Sequence, residues 1–479
     1  MSENTFFNFQ HTFAELGEDF YQSIAPQVVE KPELVLFNDE LAQQLELGSK
    51  DFDKQQVANF LSGKEVPAGS KPLAQAYAGH QFGYFTKLGD GRAHLLGEQK
   101  LKDGSYFDIQ LKGSGQTAFS RSGDGRATLY AMLREYLISE AMHGLKIATS
   151  RSLAVVKTNQ KVYRETAHQG AVLTRVMKSL IRVGTFEYAN RFLGKEKLKI
   201  LFDYTLNRHF PNLVNAENKA LSFIEAVMDS QIELVVDWMR VGFIHGVMNT
   251  DNVSIAGQTF DYGPCAFMNT YDPGTVFSSI DSQGRYAYGN QPSIAHWNVT
   301  VLAGTLLSLV DDDKEKAIEK AQHLIDSFGK RFEKAYTDML CNKIGIQFKS
   351  ESDKLLVEEL LQMMRIFGWD FTNTFNDLRN ERLDDKLALE RFKTWHTKWK
   401  DRIKEEKLDY KSLMLKNNPV IIPRNHLVEE ILEKATEGDL ESFTHYLMEL
   451  KSPYELKKPE NLMQPPKDGD AGYQTYCGT

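Results

Sequence analysis

Apolar and polar residues alternate over 106–112, with Phe107, Ile109 and Leu111 in one phase and Asp108, Gln110 and Lys112 in the other. A period of two marks a strand with two different faces. A second short strand is expected at 93–98, and Lys102-Asp103-Gly104-Ser105 between the two has the composition of a hairpin turn. Over 126–143 the period lengthens: Leu129, Leu133, Leu137 and Ala141 recur every fourth residue, which predicts a helix with one apolar face. Strand patterning returns at 150–157, and 223–241 is again helical. Beyond Asp311 the chain reads as mostly helix. Ile318, Ala321, Ile325, Phe328, Phe332, Ala335 and Met339 stand at gaps of three and four, a single stripe expected to pack within a helical domain. Less regular versions run over 354–367 and 427–450.

These patterns give an α+β chain of several parts. An N-terminal extension (1–70), anchored by Phe6, Phe7, Phe9, Phe13 and Phe20, ends in a Gly/Pro-punctuated loop at 63–70. A small strand-rich lobe with one helix follows (71–170), then a mixed lobe (171–310), a helical C-terminal domain (311–458) and a loosely ordered polar tail (459–479). At 479 residues the chain exceeds what one core organises. Its 42% hydrophobic and 25% charged residues are those of an ordinary soluble globular protein. A net charge of −8 and the lack of any Lys/Arg stripe leave no footprint for nucleic acid. The apolar run at 299–310 is too short for a bilayer and ends in Asp311-Asp312-Asp313. No positively charged leader opens the chain, so a cytoplasmic, monomeric protein is expected. Three cysteines (Cys265, Cys341, Cys477) make neither a disulfide framework nor a zinc cluster.

The chemistry concentrates in Phe243-Ile244-His245-Gly246-Val247-Met248-Asn249-Thr250-Asp251-Asn252 and in Phe260-Asp261-Tyr262-Gly263. Kinase catalytic loops read His-x-Asp-x-x-x-x-Asn, where the Asp is the base and the Asn holds a metal; a second metal-binding Asp follows in an Asp-Phe-Gly turn. Here the spacing from His245 to Asn252 is kept, but the base position is Val247, which cannot accept a proton. Asn252 and Asp261 remain as a metal pair, and Asp251 is a new carboxylate beside them. Lys112 at a strand end and Glu135 on the following helix match the kinase Lys/Glu ion pair. Gly89-Asp90-Gly91-Arg92 is read either as a hairpin turn or as a place where backbone N–H groups meet phosphate; Gly123-Asp124-Gly125-Arg126 opens the Glu135 helix and is read as an anion site at its N-terminus, as an N-cap at Asp124, or as both. Arg175 and Arg182 share a face if their segment is helical and oppose each other if it is a strand, so a phosphate clamp and a surface role both stand. His80, His143 and His245 form no metal pattern and read as structural; Cys265 and Cys477 read as unrelated thiols, with a pairing between them that would regulate access to the site as the alternative.

Longer blocks identify a resemblance. Tyr77-Ala78-Gly79-His80-Gln81-Phe82-Gly83, Gln110-Leu111-Lys112-Gly113-Ser114-Gly115-Gln116-Thr117, Arg134-Glu135-Tyr136-Leu137, the stretch 242–252 and Asp261-Tyr262-Gly263-Pro264 are similar to the selenoprotein O family of protein adenylyltransferases. Gly284-Arg285-Tyr286, Asn290-Gln291-Pro292 and Arg424-Asn425-His426-Leu427 extend the match over nearly the whole chain. The resemblance implies a protein-kinase-like bilobal fold that binds ATP in a flipped orientation and transfers AMP to Ser, Thr or Tyr hydroxyls of acceptor proteins, with UMP transfer as a variant. It implies Asp251 as catalytic base, and Asn252 and Asp261 as ligands of Mg2+ or Mn2+. Gly89, Gly91, Arg92, Lys112, Asp124, Gly125, Arg175, Arg182 and Asp261 are the implied nucleotide-binding set. Leu180 and Ala118 stand where the family commonly has His and Pro, and no Cys lies between Tyr271 and Asp281, where the family carries a redox-associated one. An unorthodox kinase moving the γ-phosphate and an ATP-binding scaffold are the alternatives.

Overall fold

The computed structural model describes residues 5–48, 51–81, 83–406, 409–467, 469–470 and 472–476. Among them, ten strands form one antiparallel sheet: β1 (Phe9–Gln10), β2 (Tyr21–Ser23), β3 (Glu33–Phe37), β4 (Leu73–Gln81), β5 (Tyr84–Gly89), β6 (Ala93–Lys100), β7 (Tyr106–Lys112), β8 (Ala127–Thr128), β9 (Arg151–Tyr163) and β10 (Ala167–Met177). The main path runs β2-β4-β6-β7-β10-β9-β3, with β5 on β4, β1 on β6 and β8 on β10. The expected 93–98 and 106–112 hairpin is β6 and β7, closed where Leu101 N–H donates to the Ser105 carbonyl at 2.9 Å.

Alternation decides what each side of the sheet does. On β7, Ile109 and Leu111 face a core with Val57, Leu61, Val156, Val172 and Val176 under the helix Lys54–Ser62. That helix is closed by a capping box between Asp53 and Gln56 and by Gly63 at φ 80°. The opposite side of the sheet takes Leu133, Leu137 and Ala141 of the helix Leu129–Gly144, against Leu95, Val155 and Leu173. Asp108, Gln110 and Lys112 share that side of β7 and are buried with it. The described part of the first 70 residues is woven through both layers. Phe6 and Phe7 enter the first core, Phe13 and Phe20 the second, so the phenylalanines anchor a segment wrapped around the sheet rather than one face.

Below the sheet the chain is helical. Asn218 caps the helix Lys219–Val241, which ends at Gly242 with φ 75°. Two short strands, Phe243–Ile244 and Ala266–Phe267, pair antiparallel and hold the loops that carry Asp251 and Asp261 between them. Asn425 extends this pair as a strand would: its Nδ2 donates to the Phe267 carbonyl at 2.8 Å and its Oδ1 accepts from the Phe267 N–H at 3.0 Å. The apolar run at 299–310 is only the end of the longer helix Gln291–Val310, which packs against Lys219–Val241. With the preceding turn, Tyr288–Val310 is long and apolar enough to cross a membrane, and half of its most apolar stretch is buried inside this fold.

The stripe from 318 to 339 is two helices, Lys314–Ile325 and Phe328–Lys343, because the chain turns at Asp326-Ser327. The stripe stays inside on both sides of the turn, with Ala321, Ile325, Phe328, Phe332 and Met339 buried; only at its start does Ala317 take the buried place and leave Ile318 44% exposed. The pattern at 427–450 likewise divides, at Gly438 (φ 112°), into Asn425–Glu437 and Leu440–Lys451. Both of these helices pack back on Leu129–Gly144. Described residues of the tail contact the rest of the fold. Thr475 bridges Ser278 and donates to the Pro264 carbonyl at 2.7 Å, and the Tyr473 hydroxyl donates to Glu429 at 2.7 Å.

The centre of the helical region is a pair of stacked indoles, Trp395 and Trp399, with ring centroids 6.1 Å apart. Each is fully buried with its N–H satisfied, Trp395 on the Leu356 carbonyl at 2.7 Å and Trp399 on that of Ile344 at 2.8 Å. Trp399→Ala is expected to remove about 3–5 kcal/mol of stability, since it leaves both a cavity and an unpaired carbonyl. A urea-denaturation midpoint shifted by less than about 1 kcal/mol equivalent would show that the helical region is not organised around this pair.

Candidate active site

A cleft of about 610 Å3 opens between the sheet and the helical half. Every residue anticipated from the sequence lines it: Gly89, Gly91, Arg92, Lys112, Asp124, Gly125, Arg175, Arg182, Asp251, Asn252 and Asp261.

Its floor is a buried group of four charges. Lys112 ends β7, Arg175 lies opposite Gln110 on β10, Glu135 projects from the helix Leu129–Gly144, and Asp261 comes from the loop below. Lys112 Nζ donates to Glu135 at 2.6 Å and also to Asp261. Arg175 Nη2 is 2.5 Å from Asp261 and also meets Glu135, to which its Nε donates at 3.0 Å. Burial opposes ionisation of both carboxyls, but Arg175 and Lys112 outweigh it and hold them below the usual range, Asp261 far below. Burial and the neighbouring Arg175 lower Lys112, against the two carboxylates within bonding distance, which raise it. Asp261 adopts φ 62°, a left-handed backbone uncommon for non-glycine residues, and the ion pairs fix it there.

Arg175 and Arg182 converge although neither the one-helix nor the one-strand geometry applies. Arg175 is on β10; the strand stops at Met177, and Arg182 precedes the short helix Val183–Tyr188. Both guanidinium groups are buried, so the surface role does not hold. Arg182 lies 4.1 Å over the Tyr77 ring, 3.3 Å from Asp90 and donates to the Asp251 carbonyl at 3.2 Å. Asp90 and Gln110 are site residues that the motifs did not single out. Gln110 Nε2 donates to Asp90 at 3.1 Å, and Gln110 Oε1 accepts from Arg175 at 3.3 Å, linking the two arginines. The signal for Gln110 was its phase: it stands on the Lys112 side of β7.

Asp251 sits in a short turn, Thr250–Asn252, with its side chain against β4. A Cβ placed on Gly79 would come within 2.5 Å of Asp251 Oδ1, so only glycine leaves room for the carboxyl. The next residue, His80, donates its N–H to Thr250 Oγ1 at 2.7 Å. Burial raises the Asp251 pKa to about 6 against the opposing charge of Arg182, and its Oδ1 has no hydrogen-bond partner. Val247, at the position where a base would be expected, is buried in the cleft wall. Asn252 Nδ2 donates to the Val247 carbonyl at 3.2 Å, which orients its amide oxygen away from that carbonyl. His245 is a brace: buried and held below the usual imidazole range, its Nε2 is 3.1 Å from the Phe260 carbonyl.

The glycine segments answer to packing. A Cβ on Gly89 would lie 2.2 Å from the Phe119 ring, and one on Gly125 2.2 Å from the Gly115 carbonyl carbon. The segment after β7 therefore presses on both turns and shapes the cleft wall. Asp124 does not cap the Glu135 helix. Residues 127–128 pair with β10 as β8, delaying the helix to Leu129, and Thr128 Oγ1 caps it by accepting from Ala131 at 3.2 Å. Asp124 instead accepts from the Arg126 N–H and pairs with Arg164 at 2.9 Å, in a turn before β8. Burial pushes the Cys265 thiol up to about 11, and Arg134 donates to the carbonyls of Gly263 and Cys265 at 3.3 and 2.7 Å. Cys477, considered with Cys265, lies outside the described residues.

The family model for the protein adenylyltransferase SelO matches residues 4–451. The chain belongs to this family. It is 50% identical over 481 residues to a protein nucleotidyltransferase YdiU of Clostridium perfringens (strain SM101 / Type A), covering 99% of this chain and 98% of that protein. A protein of the same name from Alcanivorax borkumensis is 51% identical over 480 residues, covering 99% of each chain. Another from Pelagibacter ubique is 47% identical over 481 residues, covering 98% of this chain and 99% of that protein.

The four-charge floor makes a direct prediction. Arg175→Met leaves two buried carboxylates to one lysine and is expected to cost about 3–5 kcal/mol at neutral pH. Without Arg175 the folded-state pKa values of Glu135 and Asp261 rise, so protonation relieves the strain. The deficit against the parent protein is therefore largest at neutral pH and shrinks as pH falls through those raised values. Denaturation midpoints measured across pH 5–8 that ran parallel for the two proteins would contradict a coupled charge cluster.

Proposed function

We propose that this chain transfers AMP from ATP to Ser, Thr or Tyr hydroxyls of acceptor proteins and releases pyrophosphate, on a protein-kinase-like frame. The observation that carries the reading is the exchange of carboxylates. Val247 stands at the usual base position, while Asp251, four residues on, has an unpartnered oxygen in a cleft lined by Lys112, Arg175 and Arg182. Membership of a protein adenylyltransferase family supports it.

In this reading ATP lies flipped, with its α-phosphorus toward Asp251 and its β- and γ-phosphates toward the arginines. The acceptor hydroxyl attacks the α-phosphorus, its proton passes to Asp251, and the bond between the α-phosphorus and the bridging oxygen to the β-phosphate breaks. A carboxyl with a pKa near 6 is a competent acceptor at neutral pH. Pyrophosphate leaves carrying the displaced charge, which Arg182 and the Lys112/Arg175 pair stabilise. Such charged hydrogen bonds contribute about 1.5–3 kcal/mol each.

Asn252 and Asp261 fit a hard divalent cation, Mg2+ or Mn2+. Both offer oxygen, and both line the cleft where phosphates would complete the shell; no cluster of three or more His, Cys, Asp or Glu occurs among the described residues to hold a metal without substrate. When bound, the ion supplies charge neutralisation on the phosphate oxygens.

ATP labelled at the α- or the γ-phosphate, incubated with the protein, Mg2+ and acceptor proteins, tests the proposal. Label from the α-position alone is expected. Label from the γ-position alone would make this a kinase, and none from either would leave a nucleotide-binding scaffold. Asp251→Ala is expected to abolish transfer while ATP affinity stays within a few-fold. Gly79→Ala, which displaces the carboxyl without removing it, is expected to lower kcat about 100-fold. Unimpaired transfer in Asp251→Ala would remove the base assignment.

A further inference from the structure

Beside Asp251, on the outer side of β4 and β5, aromatic side chains form an unbroken ridge. Phe192 stacks on Phe85 at 6.0 Å, Phe85 meets His80 edge-on at 5.3 Å, and His80 meets Trp297 edge-on at 5.3 Å. Each end carries a cation. Lys87 lies 5.3 Å over Phe192 and 5.5 Å over Tyr188, and Arg285 lies 5.0 Å over Trp297. Neither Lys87 nor Arg285 forms an ion pair among the described residues.

The ridge is exposed where a soluble protein seldom leaves aromatic surface: Phe85 is 39% exposed, Phe192 45% and neighbouring Tyr84 80%. It is also continuous with the catalytic loop. His80 bonds Thr250 through its N–H, its Nδ1 is 2.5 Å from the buried Glu187, and Gly79 abuts Asp251. Among the described residues β5 has no strand on its other edge. Any acceptor that brings a hydroxyl to Asp251 has this surface beside it.

We propose that the ridge docks the acceptor protein, and that its occupant is an extended segment with acidic residues on both sides of the modified Ser, Thr or Tyr. The aromatic rings take the segment's apolar contacts, Lys87 and Arg285 take its carboxylates, and the hydroxyl falls at Asp251. Charge complementarity selects this occupant. On a chain of net charge −8, two cations with no ion-pair partner among the described residues frame the approach to the base, and a basic segment would be repelled by both. Aromatic faces at a rim suit an extended chain because they contact it through large rigid surfaces. The inference rests on the AMP-transfer reading above and names the acceptor chemistry for that site.

The test uses the full chain, Mg2+, α-labelled ATP and synthetic peptides. Each peptide holds one Ser, Thr or Tyr flanked by Asp/Glu, by Asn/Gln or by Lys/Arg. The acidic set is expected to be labelled with kcat/KM at least about tenfold above the neutral set, and the basic set least. In the double variant Lys87→Glu/Arg285→Glu, KM for acidic peptides is expected to rise about tenfold and the order to invert toward basic peptides, with kcat at saturation and ATP affinity within about twofold. Inversion of preference is a readout that a merely structural role does not produce. Phe192→Ala is expected to raise KM for all three sets.

Equal labelling of the three sets, or a double variant that keeps the parental preference, would overturn the docking surface and leave AMP transfer standing. Label from γ-labelled ATP only, or none in any peptide, would overturn both. Concentration-dependent sedimentation of the parent protein that disappears in the double variant would assign the ridge to a second copy of the chain instead.

Discussion

Two carboxylates and two cations buried against one another hold the molecule's two halves in register. Lys112 and Arg175 belong to neighbouring strands, Glu135 to the helix behind the sheet, and Asp261 to a loop of the helical half. None of the four tolerates that degree of burial alone, since an isolated buried charge costs several kcal/mol. Each is there because the other three are. The sheet, the Glu135 helix and the Asp261 loop therefore have one relative placement that satisfies all four, and the cleft is what that placement leaves open.

Much of this was legible in residue order because the signals were local. Phase along β7 separated Ile109 and Leu111 from Gln110 and Lys112, and the interval from His245 to Asn252 located the loop holding Asp251. The less legible parts are those set by partners distant in sequence. The Glu135 helix starts at Leu129, not at 126, because Ala127 and Thr128 are recruited by β10, forty-odd residues later. Arg175 and Arg182 converge through a strand end and a new helix start, which spacing alone cannot express. The stripe at 318–339 kept its period of three and four across a turn, so periodicity could not report the break at Asp326-Ser327. Asp90 looked like one more polar residue between glycines, because its partners, Gln75, Gln110 and Arg182, come from three other segments.

The glycines illustrate a related point. Gly89 and Gly125 could each be read as freedom for the backbone, or as room for phosphate, and Gly79 carried no such signal. At all three the immediate reason is another part of the protein: the Asp251 carboxyl, the Phe119 ring and the Gly115 backbone. The cleft wall is thus built by close approach of chain to chain, and its shape is fixed by the absence of a methyl group at a few positions.

One contact behind the site carries a consequence for how binding is felt. The helix Leu129–Gly144 lies against the sheet on one side and against Asn425–Glu437 and Leu440–Lys451 on the other, where Gly144 would bring a Cβ within 2.5 Å of the Leu450 carbonyl. Arg134, adjacent to Glu135, is tied to Glu429 at 3.0 Å on the second side. A helix clasped on two faces cannot swing outward without opening both. The entropy of assembling the charged floor is spent when the protein folds, so a nucleotide meets donors already aimed, and little of its affinity is diverted to arranging them.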